Sequence, residues 1–169
     1  MTAKNISQTD ESDGAPLCRE PNSPQRILVV EDDAAIRRVN TEILTYSGYQ
    51  VDAAEDGAAA WDALQLNNYD LVVTDNDMPK VTGVELIQKL QAARMTLPVI
   101  MATGAPPKEV FTHYGVLPPA IMLLKPYTFN ELVTAVKAAL RAASDSLGES
   151  VPSATWQIQP MADRLRLCP

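Results

Sequence analysis

The chain has 169 residues, 46% apolar and 21% charged, with a net charge of −7 from 21 acidic and 14 basic side chains. That length suits one domain with a real core rather than two ordinary ones, and the composition is that of a soluble globular protein. Residues 26–144 alone carry 14 acids and 10 bases, a balance of −4, which argues against nucleic-acid binding through clustered cations. No apolar run approaches the roughly 18 residues of a membrane span and the N-terminus has no apolar signal core, so no membrane contact and a cytoplasmic location are expected.

Residues 1–25 are polar, carry three prolines and show no periodic apolar face; they read as a disordered extension. At Arg26 the character changes. The run Arg26–Val30 reads as a buried strand, and the stretch after it places Ile36, Val39, Ile43 and Leu44 at helical spacing, closed by Gly48. A short strand around Val51 follows, then a helix from about Gly57 with Trp61 and Leu64 inward. The run Leu71–Val73 is a third strand that stops at Asp75. Thr82-x-x-Glu85 opens the next helix as a capping box, with Val84, Ile87 and Leu90 as its buried stripe. Fourth and fifth strands are expected over residues 97–103 and 120–125. Between them a proline pair at each end confines any helix to about Pro107–Tyr114. A second capping box, Thr128-x-x-Glu131, opens the last helix, whose apolar face carries Leu132, Val136 and Leu140.

Strands alternating with helices imply an α/β fold, a five-stranded parallel sheet doubly wound with helices on both faces. Residues 26–144 form that domain. Residues 145–169 read as a polar tail, with Trp156, Ile158, Met161, Leu165 and Leu167 scattered through it and too little length for an output domain. Cys18 and Cys168 lie near opposite ends without metal spacing and are expected to be incidental thiols.

In such a sheet, ligands bind outside the carboxyl ends of the strands. The first strand ends in Glu31-Asp32-Asp33, the third in Asp75-Asn76-Asp77, the fourth in Thr103-Gly104 and the fifth in Lys125-Pro126. Clustered carboxylates repel one another unless a cation neutralises them. All-oxygen ligands suit Mg²⁺, which completes its shell with water and phosphate. An aspartate can act as the nucleophile in phosphoryl transfer, a lysine can balance charge on the phosphoryl oxygens and a threonine can donate to one of them. Each residue also has a plainer use. Asp32 or Asp33 can cap a helix, Asp75 can shape a turn, and Lys125 can be a solvated head on an apolar stem. The conjunction of compatible groups at four strand ends favours the chemical reading.

Taken together, Asp32-Asp33, the block "DNDMPKVTG" from Asp75 to Gly83, Thr103-Gly104 and Lys125-Pro126 resemble the receiver domain of bacterial response regulators. The resemblance covers about residues 26–144 and implies the flavodoxin-like (βα)5 receiver fold. It implies that Asp75 accepts a phosphoryl group from a histidine kinase or histidine phosphotransfer protein and that the signal passes on by protein contact. It further implies that Mg²⁺ (or Mn²⁺) is bound directly by Asp33, Asp75 and the backbone carbonyl of Asp77, with Asp32 acting mainly through water. Thr103 would be the switch hydroxyl, Lys125 the salt-bridging cation, and Lys125–Pro126 a cis peptide bond. Two features depart from the pattern: Met122 stands where the family carries a switch aromatic, and prolines flank the expected fourth helix. Asp77 adds a charge beside the site. A phosphate-independent interaction module on the same fold is the main alternative. A phosphatase of the haloacid-dehalogenase type fits less well, because there the nucleophilic strand comes first in the chain. Nucleotide or flavin binding lacks a glycine-rich anion cradle after the first strand.

Overall fold

The computed structural model describes residues 23–104 and 120–146. Five five-residue strands, β1 (Arg26–Val30), β2 (Gln50–Ala54), β3 (Leu71–Asp75), β4 (Val99–Thr103) and β5 (Ala120–Leu124), form one parallel sheet in the order β2-β1-β3-β4-β5. Among the described residues four helices accompany them: α1 (Ala34–Tyr46), α2 (Gly57–Leu66), α3 (Gly83–Ala92) and α4 (Phe129–Ser146). The expected helix near Pro107–Tyr114, most of the N-terminal extension and the tail beyond residue 146 lie outside the described residues.

Alternation along the strands sorts their side chains to two faces. Leu28, Val30, Val72, Val99 and Met101 pack with Leu64 of α2 and Leu86, Ile87 and Leu90 of α3. Ile27, Val29, Leu71, Val73 and Ile100 pack with Leu44 of α1 and Leu132, Val136 and Leu140 of α4. Every residue of β3 and β4 is buried, as a parallel strand covered on both faces requires. Burying each large apolar side chain contributes about 1.5–3 kcal/mol.

Both capping boxes form. Thr82 Oγ1 accepts from the Glu85 N–H while Glu85 accepts from the Thr82 N–H at 2.8 Å. Thr128 and Glu131 repeat the exchange. Two helix faces differ from expectation. On α3 the buried stripe is Gly83, Leu86, Ile87 and Leu90, with Val84 only half-buried. On α1 the buried residues are Asn40 and Leu44, whereas Ile36 and Val39 are exposed. The α1 helix is therefore turned so that part of its apolar stripe faces outward. Trp61 is half-buried against the α2–α3 core, with the Lys89 ammonium 5.5 Å from its ring centre.

The strand order places the reversal of winding between β1 and β3. Their carboxyl ends therefore open on a crevice.

Candidate functional site

The pairing register builds the site. β1 and β3 run in parallel with Val30 opposite Thr74, so the residues one step further on, Glu31 and Asp75, stand level at the sheet edge. Both are buried, at 3% and 8% exposure. The turn from β1 into α1 is held by Arg37, whose guanidinium donates to the carbonyls of Glu31 (2.6 Å) and Asp32 (3.1 Å). On the far side, the Lys125 N–H donates to the Thr103 carbonyl at 2.9 Å, which ties the end of β5 to the end of β4.

The loop after Asp75 folds back on the strand it leaves. The amides of Met78 and Gly83 both donate to the Asn76 carbonyl at 3.1 Å. Gly83 begins α3 so close to the backbone of Asp75 that a Cβ there would collide with the Asp75 carbonyl oxygen. Only glycine lets the loop close this tightly. Lys80, in the left-handed region at φ 65°, reaches out of the loop to Asp56 at 2.6 Å. Asp56 in turn caps α2 through the amides of Ala58 and Ala59.

At the centre, Lys125 Nζ lies 2.8 Å from Asp75 Oδ2 and 2.9 Å from Glu31 Oε2. Asp75 Oδ1 accepts from the Asn76 N–H at 2.7 Å. One carboxylate oxygen each from Glu31, Asp32 and Asp75 lies within 4.8 Å of the others. Burial raises the Glu31 carboxyl above its ordinary range, with the Asp75 charge adding to the effect and the Lys125 hydrogen bond opposing it. For Lys125 burial disfavours the charge, but hydrogen bonds to Asp75 and Glu31 outweigh it and hold the ammonium above its usual value. Among the described residues, two carboxylates thus share one ammonium and a third, Asp32, lies beside them. The donor set is oxygen-only, excess in negative charge and spaced for a single small cation, so it fits a hard divalent metal.

Asp33 takes a different place from the one its expected role requires. Its Oδ1 accepts from the amides of Ala35 (2.8 Å) and Ile36 (3.0 Å), making it the N-cap of α1, and these hydrogen bonds lower its pKa. The acidic pair at the crevice is Glu31 and Asp32, one residue earlier than the pair read from the sequence. Glu31 has no role in the expected ligand set. The signal that marks it is the register: it occupies on β1 the level that Asp75 occupies on β3. Asp77 is exposed and its carboxylate accepts from the Asn76 side chain at 3.0 Å. Thr103 ends β4 fully buried. Met122 lies mid-strand on β5, half-buried against the α2–α3 core. Lys125–Pro126 is cis.

The family model for the response regulator receiver domain matches residues 27–137. The chain belongs to this family. It is 34% identical over 135 residues to the response regulator MprA of Mycobacterium sp. strain KMS, covering 79% of this chain and 58% of that protein. To the transcriptional regulatory protein RprY of Bacteroides fragilis it is 34% identical over 116 residues, covering 69% of this chain and 49% of that one. The chain therefore spans about half to three-fifths of these relatives' length. Among solved structures, a CheY-like receiver domain from Methanospirillum hungatei superposes with a TM-score of 0.67 at 28% identity, covering 73% of this chain and 99% of that one. The response regulator TrrA of Thermotoga maritima, solved in complex with Mg(2+)-BeF, gives 0.61 at 30% identity, covering 68% and 98%. The receiver domain is a signalling domain rather than a classical enzyme, and its fold is the flavodoxin-like one the sequence suggests. Among the described residues no helix is long and apolar enough to cross a membrane.

Proposed function

We propose that this receiver domain accepts a phosphoryl group on Asp75 from a phosphohistidine of a partner kinase or phosphotransfer protein, and passes the signal on by protein contact. The observation that carries the reading is the arrangement of Lys125 on Asp75 Oδ2 with the Glu31 and Asp32 carboxylates alongside. Asp75 attacks phosphorus through a carboxylate oxygen, the phosphorus–nitrogen bond of the donor breaks, and the imidazole leaves with its electron pair. Lys125 stays at the carboxylate and places its charge beside the incoming phosphoryl oxygens. Thr103 ends the neighbouring strand, where its hydroxyl would meet one of those oxygens. Mg²⁺ would be held by Asp32, Asp75 and the backbone carbonyl of Asp77, with Glu31 acting through water, and would supply neutralisation of charge on the transferring group. Asp33 keeps its helix cap.

The mouth of the crevice suits a protein donor. Beside Lys125 and Pro126 an apolar groove of about 560 Å³ is lined by Ile36, Val39, Tyr127 and Phe129, so a donor reaching Asp75 buries apolar surface as it docks. The test is intact mass after incubation with acetyl phosphate and Mg²⁺. One added phosphoryl group, lost in Asp75→Asn and on chelating the metal, is the expected result. No adduct on the wild type would favour a phosphate-independent interaction module, a reading that Met122 at the switch position supports.

A further inference from the structure

Asn40 has no part in the chemistry above, yet it is the buried polar residue of α1, at 4% exposure on a face otherwise carried by Leu44. An amide there costs desolvation that leucine would not, unless it is hydrogen-bonded. Its Nδ2 donates to Tyr127 Oη at 3.0 Å, across 87 residues of sequence. Tyr127 is half-buried against the α1–α4 core and lies two residues after Lys125. Lys125 is thus anchored on both sides: before Pro126 by its own N–H on the Thr103 carbonyl of β4, and after Pro126 by the Tyr127 hydroxyl on α1.

We infer that the Asn40–Tyr127 hydrogen bond is a positioning device that holds the loop carrying Lys125 in register with the carboxylates at the head of α1. The inference rests on the phosphoacceptor reading. Two sets of groups must keep their spacing for transfer: Lys125 on the β5–α4 loop, and Glu31 and Asp32 on the turn that starts α1. Asn40 lies seven residues after Asp33, so the helix places its backbone about 10 Å along α1 from that cap. A bond there fixes α1 and the loop against each other without touching the reacting atoms. Both residues also line the apolar groove beside Pro126.

The test uses the full chain with Tyr127→Phe, which keeps the ring and removes only the hydroxyl, Asn40→Leu, which keeps the volume, and the double variant. The measurements are the second-order rate constant for phosphorylation by acetyl phosphate, the Mg²⁺ dissociation constant and the urea midpoint. Each single variant is expected to lower the rate constant by about three- to tenfold, the scale of one hydrogen bond. The double variant should be no slower than the slower single one, because the pair acts as a unit. Mg²⁺ affinity should not change. A rate within twofold of wild type in Tyr127→Phe overturns the inference, as do additive losses in the double variant. Losses that track Mg²⁺ affinity and the urea midpoint mean general loosening and overturn it as well. A wild type that takes no phosphoryl group overturns the functional reading first, and this inference with it.

Discussion

The two ends of the sheet treat charge in opposite ways. At the amino-terminal end the Arg26 guanidinium meets Asp52 at 2.6 Å, donates to Asn67 and lies 4.9 Å over the Tyr69 ring, while the Arg26 N–H donates to Asp70. Tyr69 adds its hydroxyl to Asp52 at 2.9 Å. Each carboxylate there has donors on it, and the network joins β1, β2 and the segment leading into β3. At the carboxyl-terminal end, among the described residues, Glu31 and Asp75 share the Lys125 ammonium and the Asp32 carboxylate lies beside them. The first arrangement is complete in itself and fastens strands. The second is short of positive charge, which is what a site for a cation and a phosphoryl group requires.

The contrast is broken most forcefully at Lys125. Lys125→Met leaves Glu31 and Asp75 buried without a counter-ion, and should destabilise the metal-free protein by about 3–5 kcal/mol. Mg²⁺ should then restore more stability to the variant than to the wild type, because the ammonium no longer opposes the metal. Urea midpoints with and without Mg²⁺ measure this. A loss that Mg²⁺ does not touch would mean that the carboxyl end, like the amino end, is only a fastening.

Next in size is the one-residue shift in the acidic pair. Asp32→Asn should weaken Mg²⁺ binding about tenfold or more, since a full charge leaves the ligand set. Asp33→Asn should leave Mg²⁺ affinity close to wild type, because asparagine caps a helix as well as aspartate does. Asp33→Ala should lower the melting temperature by a few degrees through loss of the cap. Titration calorimetry that finds Asp33→Asn as damaging as Asp32→Asn would return the ligand role to Asp33.

That shift also shows what could be read in the sequence. The alternation of strands and helices along the chain, both capping boxes and the placing of Asp75, Thr103 and Lys125 at strand ends were legible, because each is set by local pattern: an apolar run, a threonine three before a glutamate, a polar residue closing a strand. The choice between Glu31-Asp32 and Asp32-Asp33 is not local. It depends on β1 pairing with β3 so that Glu31 is level with Asp75, which a single strand cannot reveal. The roll of α1 is hidden for a similar reason. Periodicity proposes Ile36 and Val39 as core, but the partner of Asn40 is Tyr127, a distant residue, and that bond accompanies a helix turned away from its apolar stripe.

The smallest expected effect tests the amino-terminal end alone. Burial first, then the hydrogen bond to Asp52 and the charge of that carboxylate, raise the Tyr69 phenol to about 12. In the unfolded chain a phenol ionises near 10. The folded value is the higher one, so the stability this group contributes is fully present below pH 10 and is lost as pH rises towards 12. Tyr69→Phe removes that titration along with one hydrogen bond to a charged acceptor. The variant should be modestly less stable at neutral pH, and the gap to wild type should close between pH 10 and 12. Urea midpoints across that range decide it, and a gap that stays constant would mean that folding does not raise the phenol. Phosphorylation of Asp75 should be the same in both proteins, because this network lies at the end of the sheet where the charges already have their partners.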